Sequence, residues 1–459
     1  MSVFSLSNLK KTWYYLQKNG IRNAVWAVLE RIGQEQEVYT WQEPDEKTLS
    51  FQREHSASLR ISIVVPAYRT KKEHLEAMLN SVSRQSYPHW ELIVADAGGT
   101  AESVQAWAKK NGICLREAAD ASNLAEWKDQ SIVLCTLSEN KGISANTNAG
   151  IELAAGDAGG LLGHDGLPTA NALWEMADCL EKEKKRGKQK LVLFSDEDKC
   201  DGAASRFYEP NFKPDFDGEL LLTNNYICHF TVIETAFLKE LKLRSGFDGA
   251  QDYDLMLRAY AAGGQFVHVP KVLYHWRCHE ASTASNPQSK RYAYEAGQRA
   301  LEDYCLRKGW KATVSGLKHL GFYREDYEDS VFCQRPEIGI WAKPLPGGRD
   351  IFGIRHPKGF LVSGLYENDG SMRYAGLRKG YSGPMHRAVL QQSAPTADLR
   401  SMEVCSALKE RYAQTIAELK EACQGLPTAA QETKILQKSM EFCKEATVAG
   451  YGILWDPQA

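Results

Sequence analysis

No apolar run in this chain approaches the ~18–20 residues that a bilayer-spanning helix needs, so no membrane-spanning helix is expected. The 11 cysteines include no CxxC pair and are odd in number. With no recognisable N-terminal signal peptide, this predicts free thiols, a reducing compartment and a cytoplasmic location. Cys135, Cys228 and Cys278 sit in or beside apolar runs, where a reduced cysteine acts as a small hydrophobe. Charge of one sign is also missing: the formal net charge is -2, which provides no global field for nucleic acid. Phosphate binding therefore needs a local site. There is no GxxxxGK[ST] loop, no GxGxxG after a strand and no GxSxG elbow. P-loop, dinucleotide-binding and serine-hydrolase chemistry are thereby excluded.

What is present is globular: 459 residues, 43% hydrophobic and 25% charged, enough for two or three domains. Residues 9–32 are basic and aromatic with helical periodicity, and read either as a helical pair packed on the main domain or as a membrane-surface segment. Residues 42–60 are polar, a linker or a wrapping helix. ISIVVP (61–66) is a β-branched run expected as a buried parallel strand. Helix, strand (91–96), helix (103–110), strand (132–137), helix (140–155) and strand (161–165) follow. A second sheet-forming stretch is predicted from LVLFSDEDK (191–199), through NYICHFTVI (225–233) and a helix over 252–262, to FVHVPKVLYHW (266–276). Alternating strands and helices predict a mainly parallel α/β sheet with its ligand at the carboxyl ends of the strands. That rule places Pro66, Tyr68, Asp96 and Asp165 together.

Asp165 ends an apolar run between Gly163 and Gly166. It suits a divalent cation on a diphosphate, and equally a turn aspartate bonding its own backbone. Asp252 and Asp254 open a helix, where the dipole and capping favour carboxylates; one of them also suits a general base at a site mouth. His275, Arg277 and His279 follow a strand and are competent for metal or phosphate. Asp196, Glu197 and Asp198 form an acidic cluster that reads as a second metal site, an acceptor clamp or a solvated turn.

Taken in order, VVPAYRT, SVSRQSYPHWELIVAD, ENKGISANTNAGIELAAGD, LLGHDG, FSDEDK, FKPDF, NNYICH, GAQDYDLMLR and VPKVLYHWRCHEASTA resemble family 2 glycosyltransferases. The likeness runs from about Arg60 to Val314, and is strongest to a subgroup that assembles polysaccharide and O-antigen. The resemblance implies a GT-A fold and inverting transfer of a sugar from a nucleotide-diphosphate donor, UDP- or dTDP-linked, to a glycan or lipid-linked acceptor. By position, Asp252 is implied as the catalytic base. Pro66, Tyr68, Asp96, Gly142, Asn148, Asp165 and Arg277 are implied around the donor. Asp165 and His275 are implied as ligands of Mn²⁺ or Mg²⁺, and Asp196, Asp198 and Gln251 as the acceptor side. Asp254 is then left as a helix cap. The chain departs from the family pattern where Gly163 and Gly166 replace two acids of the metal motif, Ala97 the second aspartate of a pair, and Arg69 an asparagine. These losses motivate the alternative of a non-catalytic homologue that binds an acceptor or a partner transferase.

The domain expectation is an N-terminal extension (1–59), a GT-A domain (60–330) and a partial, degenerate second module (331–459). The last rests on LYENDGSMRYAGLRKGY (365–381) and on a gapless register that lays Gly450 over Gly263 and residues 441–449 over 254–262. In that register Ser439 stands where Asp252 stands. Peripheral membrane contact, a homo-oligomer and a partner transferase complete the expected partners; nucleic acid is not among them.

Overall fold

The computed structural model describes residues 39–118, 127–278, 291–316, 320–342, 364–365, 402–422 and 429–455. The candidate membrane-surface segment 9–32, His279 and most of the 365–381 motif lie outside these residues. No helix among the described residues is long and apolar enough to cross a membrane.

A short helix, α1 (Glu46–Glu54), is capped by Asp45, whose Oδ1 accepts the Thr48 N–H at 2.8 Å. Then β1 (Ile61–Ala67), α2 (Lys72–Ser83), β2 (Trp90–Asp96), α3 (Ala101–Asn111), β3 (Cys114–Ala118), β4 (Ser131–Thr136), α4 (Ile143–Leu153) and β5 (Ala158–Leu161) alternate as expected. The additional strand β3 is of mixed polarity (CLREA) and lies at the sheet edge, where one partner suffices. After β6 (Leu167–Pro168) and α5 (Ala172–Lys185) come β7 (Leu191–Cys200), β8 (Phe207–Asn211), α6 (Gly218–Thr223), β9 (Thr231–Glu234), α7 (Thr235–Leu241), α8 (Gln251–Ala261) and β10 (Gln265–Arg277). All of these strands join one ten-stranded sheet in the order β3-β4-β2-β1-β5-β9-β7-β10-β6, with β8 on β7. The second sheet-forming stretch expected from residue 191 continues the same sheet. β9 runs antiparallel between β5 and β7, and β6 and β8 are antiparallel additions; the other pairings are parallel.

Both faces of the central strands are buried, which is why they read as unbroken apolar runs. Val64, Ile93 and Val133 point into one core cluster with α4, α8 and Phe194. Ile63, Val65, Leu92, Val94, Ile132 and Leu134 point into the other, with α2, α3 and α5. The acidic-basic run after residue 181 caps α5: Glu183 is buried and takes both Arg186 and Lys188.

Beyond β10, α9 (Arg291–Lys308) and the hairpin β11 (Ala312–Gly316)–β12 (Tyr323–Tyr327) lead through α10 (Val331–Gln334) to a small sheet. That sheet holds β13 (Ile338–Ala342), β14 (Gly364–Leu365), β15 (Met402–Val404) and β16 (Gly452–Trp455), with α11 (Ser406–Arg411), α12 (Ala413–Ala422) and α13 (Ala429–Val448) between the last two strands. Its pairing repeats that of β7, β9 and β10. Val192 pairs parallel with Phe266 and antiparallel with Ile233, and Ile340 pairs parallel with Ile453 and antiparallel with Val404. Leu193 and Trp341, then Phe194 and Ala342, continue the two ladders in step. The helix ends match as well. Gly263 (φ 78) and Gly264 donate to the carbonyls of Tyr260 and Ala259; Gly450 (φ 89) and Tyr451 donate to those of Thr447 and Ala446. Both left-handed glycines close a helix by the same pair of bonds before the next strand. The small sheet is tied to the large one by a buried fork: both terminal nitrogens of Arg335 lie 2.6 Å from the two carboxylate oxygens of Glu219 on α6.

Candidate functional site

Parallel strands bring the carboxyl ends of β1, β2, β5, β7 and β10 to one edge. Pro66 is the penultimate residue of β1, and Tyr68 follows the strand and is 41% exposed. The Arg69 guanidinium lies 5.1 Å from the Tyr68 ring centre, and Arg69 itself is left-handed (φ 47), a conformation that the asparagine of the family pattern adopts more readily. Asp96, at the end of β2, is buried and accepts from the backbone N–H groups of Gly98, Thr100 and Ala101. Its carboxylate orders the loop and the start of α3. Gly142 has φ 96, and a Cβ there would stand 2.3 Å from Asp248 Oδ2. Asn148 faces the backbone: its amide donates to the Leu243 carbonyl and accepts the Leu243 N–H, both at 2.8 Å.

The strand expected over 161–165 ends at Leu161, and Asp165 sits in the turn that follows. Of the two glycines near it, Gly166 is required by Tyr274 of β10. A Cβ at Gly166 would lie 2.6 Å from the Tyr274 hydroxyl, and one at Gly163 would lie 3.3 Å from Asp165 Oδ1. The buried guanidinium of Arg277 donates through Nε to the Asp165 carbonyl (3.2 Å) and through one terminal nitrogen to Gly202 (2.6 Å). Its other terminal nitrogen is shielded from water and has no partner among the described residues. Buried polar groups are rarely left so. His275 lies with Nδ1 2.5 Å from Asp198 Oδ1, between the rings of Trp41 and Phe207. The Tyr39 hydroxyl donates to the other oxygen of Asp198 at 2.7 Å. In the neutral ring this pairing keeps the proton on Nδ1 and the lone pair on Nε2.

The cluster at 196–198 is no solvated turn, because all three carboxylates are buried within β7. Asp196 takes the Lys213 N–H and His268 Nε2, each at 2.8 Å, and Asp198 takes His275 and Tyr39. Glu197 faces Lys213 and His229. Burial opposes its ionisation, but those two cations outweigh it and hold the carboxyl down at about 2. Burial likewise works against a charged His229, yet Glu197 and Asp252 carry its imidazole above the ordinary value. The motif NNYICH, expected in a strand, is a loop before β9. Its backbone is held by Lys213, which donates to the carbonyls of Ile227 (2.9 Å) and His229 (2.8 Å), and by Glu197, which accepts the His229 N–H. Asn225 and Cys228 in this loop both reach Asp252 Oδ2, at 3.2 and 3.0 Å. Asp252 is the second residue of α8. Asp254 does not cap that helix; it is buried between Arg244 and Arg258. Gln251 accepts the Gly249 N–H at 2.8 Å.

Arg277 thus contacts Asp165, His275 sits with Asp198, Trp41 and Phe207, and Asp252 is held by the 225–228 loop, next to which the rings of His229 and Tyr274 stack at 5.4 Å. Tyr68 and Asp96 stand at the neighbouring strand ends. Asn148 bonds the Leu243 backbone, and Asp196 takes Lys213 N–H and His268. Lys213, His229 and Asn225 are the site-wall residues that the sequence reading left without a role, although the motifs FKPDF and NNYICH carry them. Among the described residues, no three His, Cys, Asp or Glu side chains gather as a metal cage.

The family description Glycosyl transferase family 2 matches residues 62–241, which contain β1 to β9 and the Asp165 turn. That part of the chain is similar to family 2 glycosyltransferases. Similar proteins include the uncharacterized protein y4gI of Sinorhizobium fredii, 35% identical over 55% of this chain and 26% of that one. The O-antigen biosynthesis protein RfbC of Myxococcus xanthus is 34% identical over 56% and 19%. The amylovoran biosynthesis glycosyltransferase AmsB of Erwinia amylovora is 26% identical over 47% and 70%. The match thus spans about a quarter or less of the first two relatives' own lengths. A solved structure of S. aureus TarS 1–349 with UDP-GlcNAc is 19% identical, with a TM-score of 0.40 over 54% of this chain and 67% of that one. The chain's own sheet, mixed α/β and mainly parallel, is the GT-A arrangement expected from its motifs.

Proposed function

We propose that the chain transfers a sugar with inversion from a UDP- or dTDP-sugar to a glycan or lipid-linked acceptor in surface polysaccharide synthesis. The observation that carries this reading is the Arg277 guanidinium: buried, pinned by two carbonyls, one nitrogen unpartnered among the described residues, and bonded to the backbone of Asp165. It has the form of a preorganised donor for a diphosphate. In the transfer, the acceptor hydroxyl oxygen bonds to the anomeric carbon as the bond from that carbon to the diphosphate oxygen breaks. Asp252 takes the hydroxyl proton, and Arg277 meets the negative charge that develops on the diphosphate. Tyr68 offers its exposed ring as a face for the nucleotide base.

The residues present fit a divalent cation, Mn²⁺ or Mg²⁺. Asp165 offers a carboxylate, and His275 a ring nitrogen whose opposite side is held by Asp198, the carboxylate–histidine pairing found behind metal ligands. Bound there, the ion would act as a Lewis acid toward the diphosphate. Residues 331–459 are proposed as a partial second module, matching the β7–β10 portion of the first, with Ser439 at the position of Asp252 and no base of its own.

One observation favours the second reading, a non-catalytic homologue: the Tyr274 hydroxyl fills the space where the family's acid at position 166 would stand. A thermal-shift titration with UDP, dTDP, GDP and CDP, each with and without Mn²⁺, separates the two. A ligand of the folded state stabilises it by about 2.7 kcal/mol at a hundredfold excess over Kd. A Mn²⁺-dependent shift with UDP or dTDP, followed by loss of transfer but not of binding in Asp252→Asn, supports the enzyme. Flat curves for all four nucleotides support the non-catalytic homologue.

A further inference from the structure

Asp252 is held by more contacts than a helix-opening aspartate needs. Its Oδ1 accepts the Tyr253 N–H at 2.9 Å. Its Oδ2 accepts two side-chain donors from one loop, the Asn225 amide at 3.2 Å and the Cys228 thiol at 3.0 Å. That loop is itself anchored from β7 and the segment after β8: buried Lys213 binds the carbonyls on either side of Cys228, and Glu197 accepts the His229 N–H. An ionised carboxylate offers about four lone-pair sites. Three are occupied here, both of those on Oδ2 and one on Oδ1.

We infer that Asn225 and Cys228 are positioning residues for the proposed base, and that they direct its chemistry to the single open site on Oδ1. The inference rests on the reading of Asp252 as the proton acceptor. With both sites on Oδ2 filled, the carboxylate cannot rotate to offer the other oxygen without breaking two hydrogen bonds at once. The acceptor hydroxyl then has one approach, which fixes the angle of its attack on the anomeric carbon. The thiol suits this role because burial, and then the Asp252 charge, keep it protonated and donating.

Two measurements on the full chain test the inference. The first requires no knowledge of donor or acceptor. Cys228 is alkylated with iodoacetamide and followed by peptide mass spectrometry in wild type and Asp252→Asn, with buried Cys135 as the internal reference. Removing the carboxylate charge frees the thiol to ionise, so Cys228 should react about fivefold faster while Cys135 is unchanged. Equal rates in the two proteins overturn the contact. The second follows UDP release from a panel of UDP-sugars. Cys228→Ala and Asn225→Ala should each lower kcat about tenfold with donor KM unchanged, and Cys228→Ser, which still donates, should restore most of the rate. If both alanine variants turn over like wild type while Asp252→Asn is inactive, positioning is overturned and the base stands. If Asp252→Asn turns over like wild type, the base assignment falls and takes the positioning role with it.

Discussion

Replacing Glu325 with glutamine should stabilise the protein above pH 7 and leave it unchanged near pH 4.5. Glu325 sits mid-strand in β12, and its Oε1 is shielded from water without a hydrogen-bond partner. Burial, then the nearby charge of Glu219, push its carboxyl up to about 8 from 4.5, against the opposing pull of Arg335. The unfolded chain gives up this proton near 4.5, whereas the folded chain keeps it until about 8. Between those values the native state binds more protons than the unfolded state, so stability falls as pH rises. At 1.36 kcal/mol per unit, the cost by pH 7 is about 3 kcal/mol as an upper bound, and about 2 kcal/mol once coupling to the Arg335–Glu219 pair is discounted. Glutamine carries no proton to lose. Urea unfolding from pH 5 to 8 should therefore show wild type losing stability with rising pH and Glu325→Gln holding nearly flat. Parallel curves for the two proteins would refute the reasoning and mean that Glu325 is solvated.

Three further substitutions separate scaffold from site. Arg335→Met leaves Glu219 buried and unpaired, and should cost about 3–5 kcal/mol in denaturant unfolding; a loss below about 1 kcal/mol would mean that the fork is hydrated. Asn148→Ala strands the Leu243 backbone groups and should cost about 1–3 kcal/mol, with nucleotide affinity by calorimetry unchanged; a weakened affinity would return Asn148 to the donor site. Glu197→Gln removes a carboxylate held at about 2 by Lys213 and His229, whose stabilisation is present above pH 4.5 and lost as pH falls toward 2. The variant should be about 3 kcal/mol less stable near pH 7, converging on wild type in acid; an equal deficit at both pH values would refute the ion-pair account.

Much of the fold was legible because both faces of β1, β2, β4 and β7 are buried, and such strands announce themselves as apolar runs. β3 was not, because an edge strand can tolerate Arg116 and Glu117. NNYICH reads as a strand by composition, but Lys213 and Glu197 claim its backbone from outside the segment, a tertiary contact that leaves no periodic trace. The strand-end placement of Asp165 and Arg277 followed from topology. The contacts that Asp96 and Asp196 make with backbone N–H groups did not, since a carboxylate that orders a loop and one that meets a ligand are the same letter. Gly163 and Gly166 read as lost acids; the packed structure explains Gly166, by where the Tyr274 hydroxyl lies.

The ten-stranded sheet has a seam. The five parallel strands from β3 to β5 meet the rest only where β5 lies antiparallel to β9, over four residue pairs from Ala158 with Glu234 to Leu161 with Thr231. The ladder repeated in the small sheet belongs wholly to the far side of that seam. In the copy, β15 takes the place of β9, and among the described residues it pairs with β13 alone. The edge of β15 turned from β13 corresponds to the edge of β9 that meets β5, with Glu403 at the middle of the strand. The seam therefore marks where this architecture divides into portable parts: the ladder of β7, β9 and β10 recurs in the small sheet without a counterpart, among the described residues, of the five parallel strands beyond the seam.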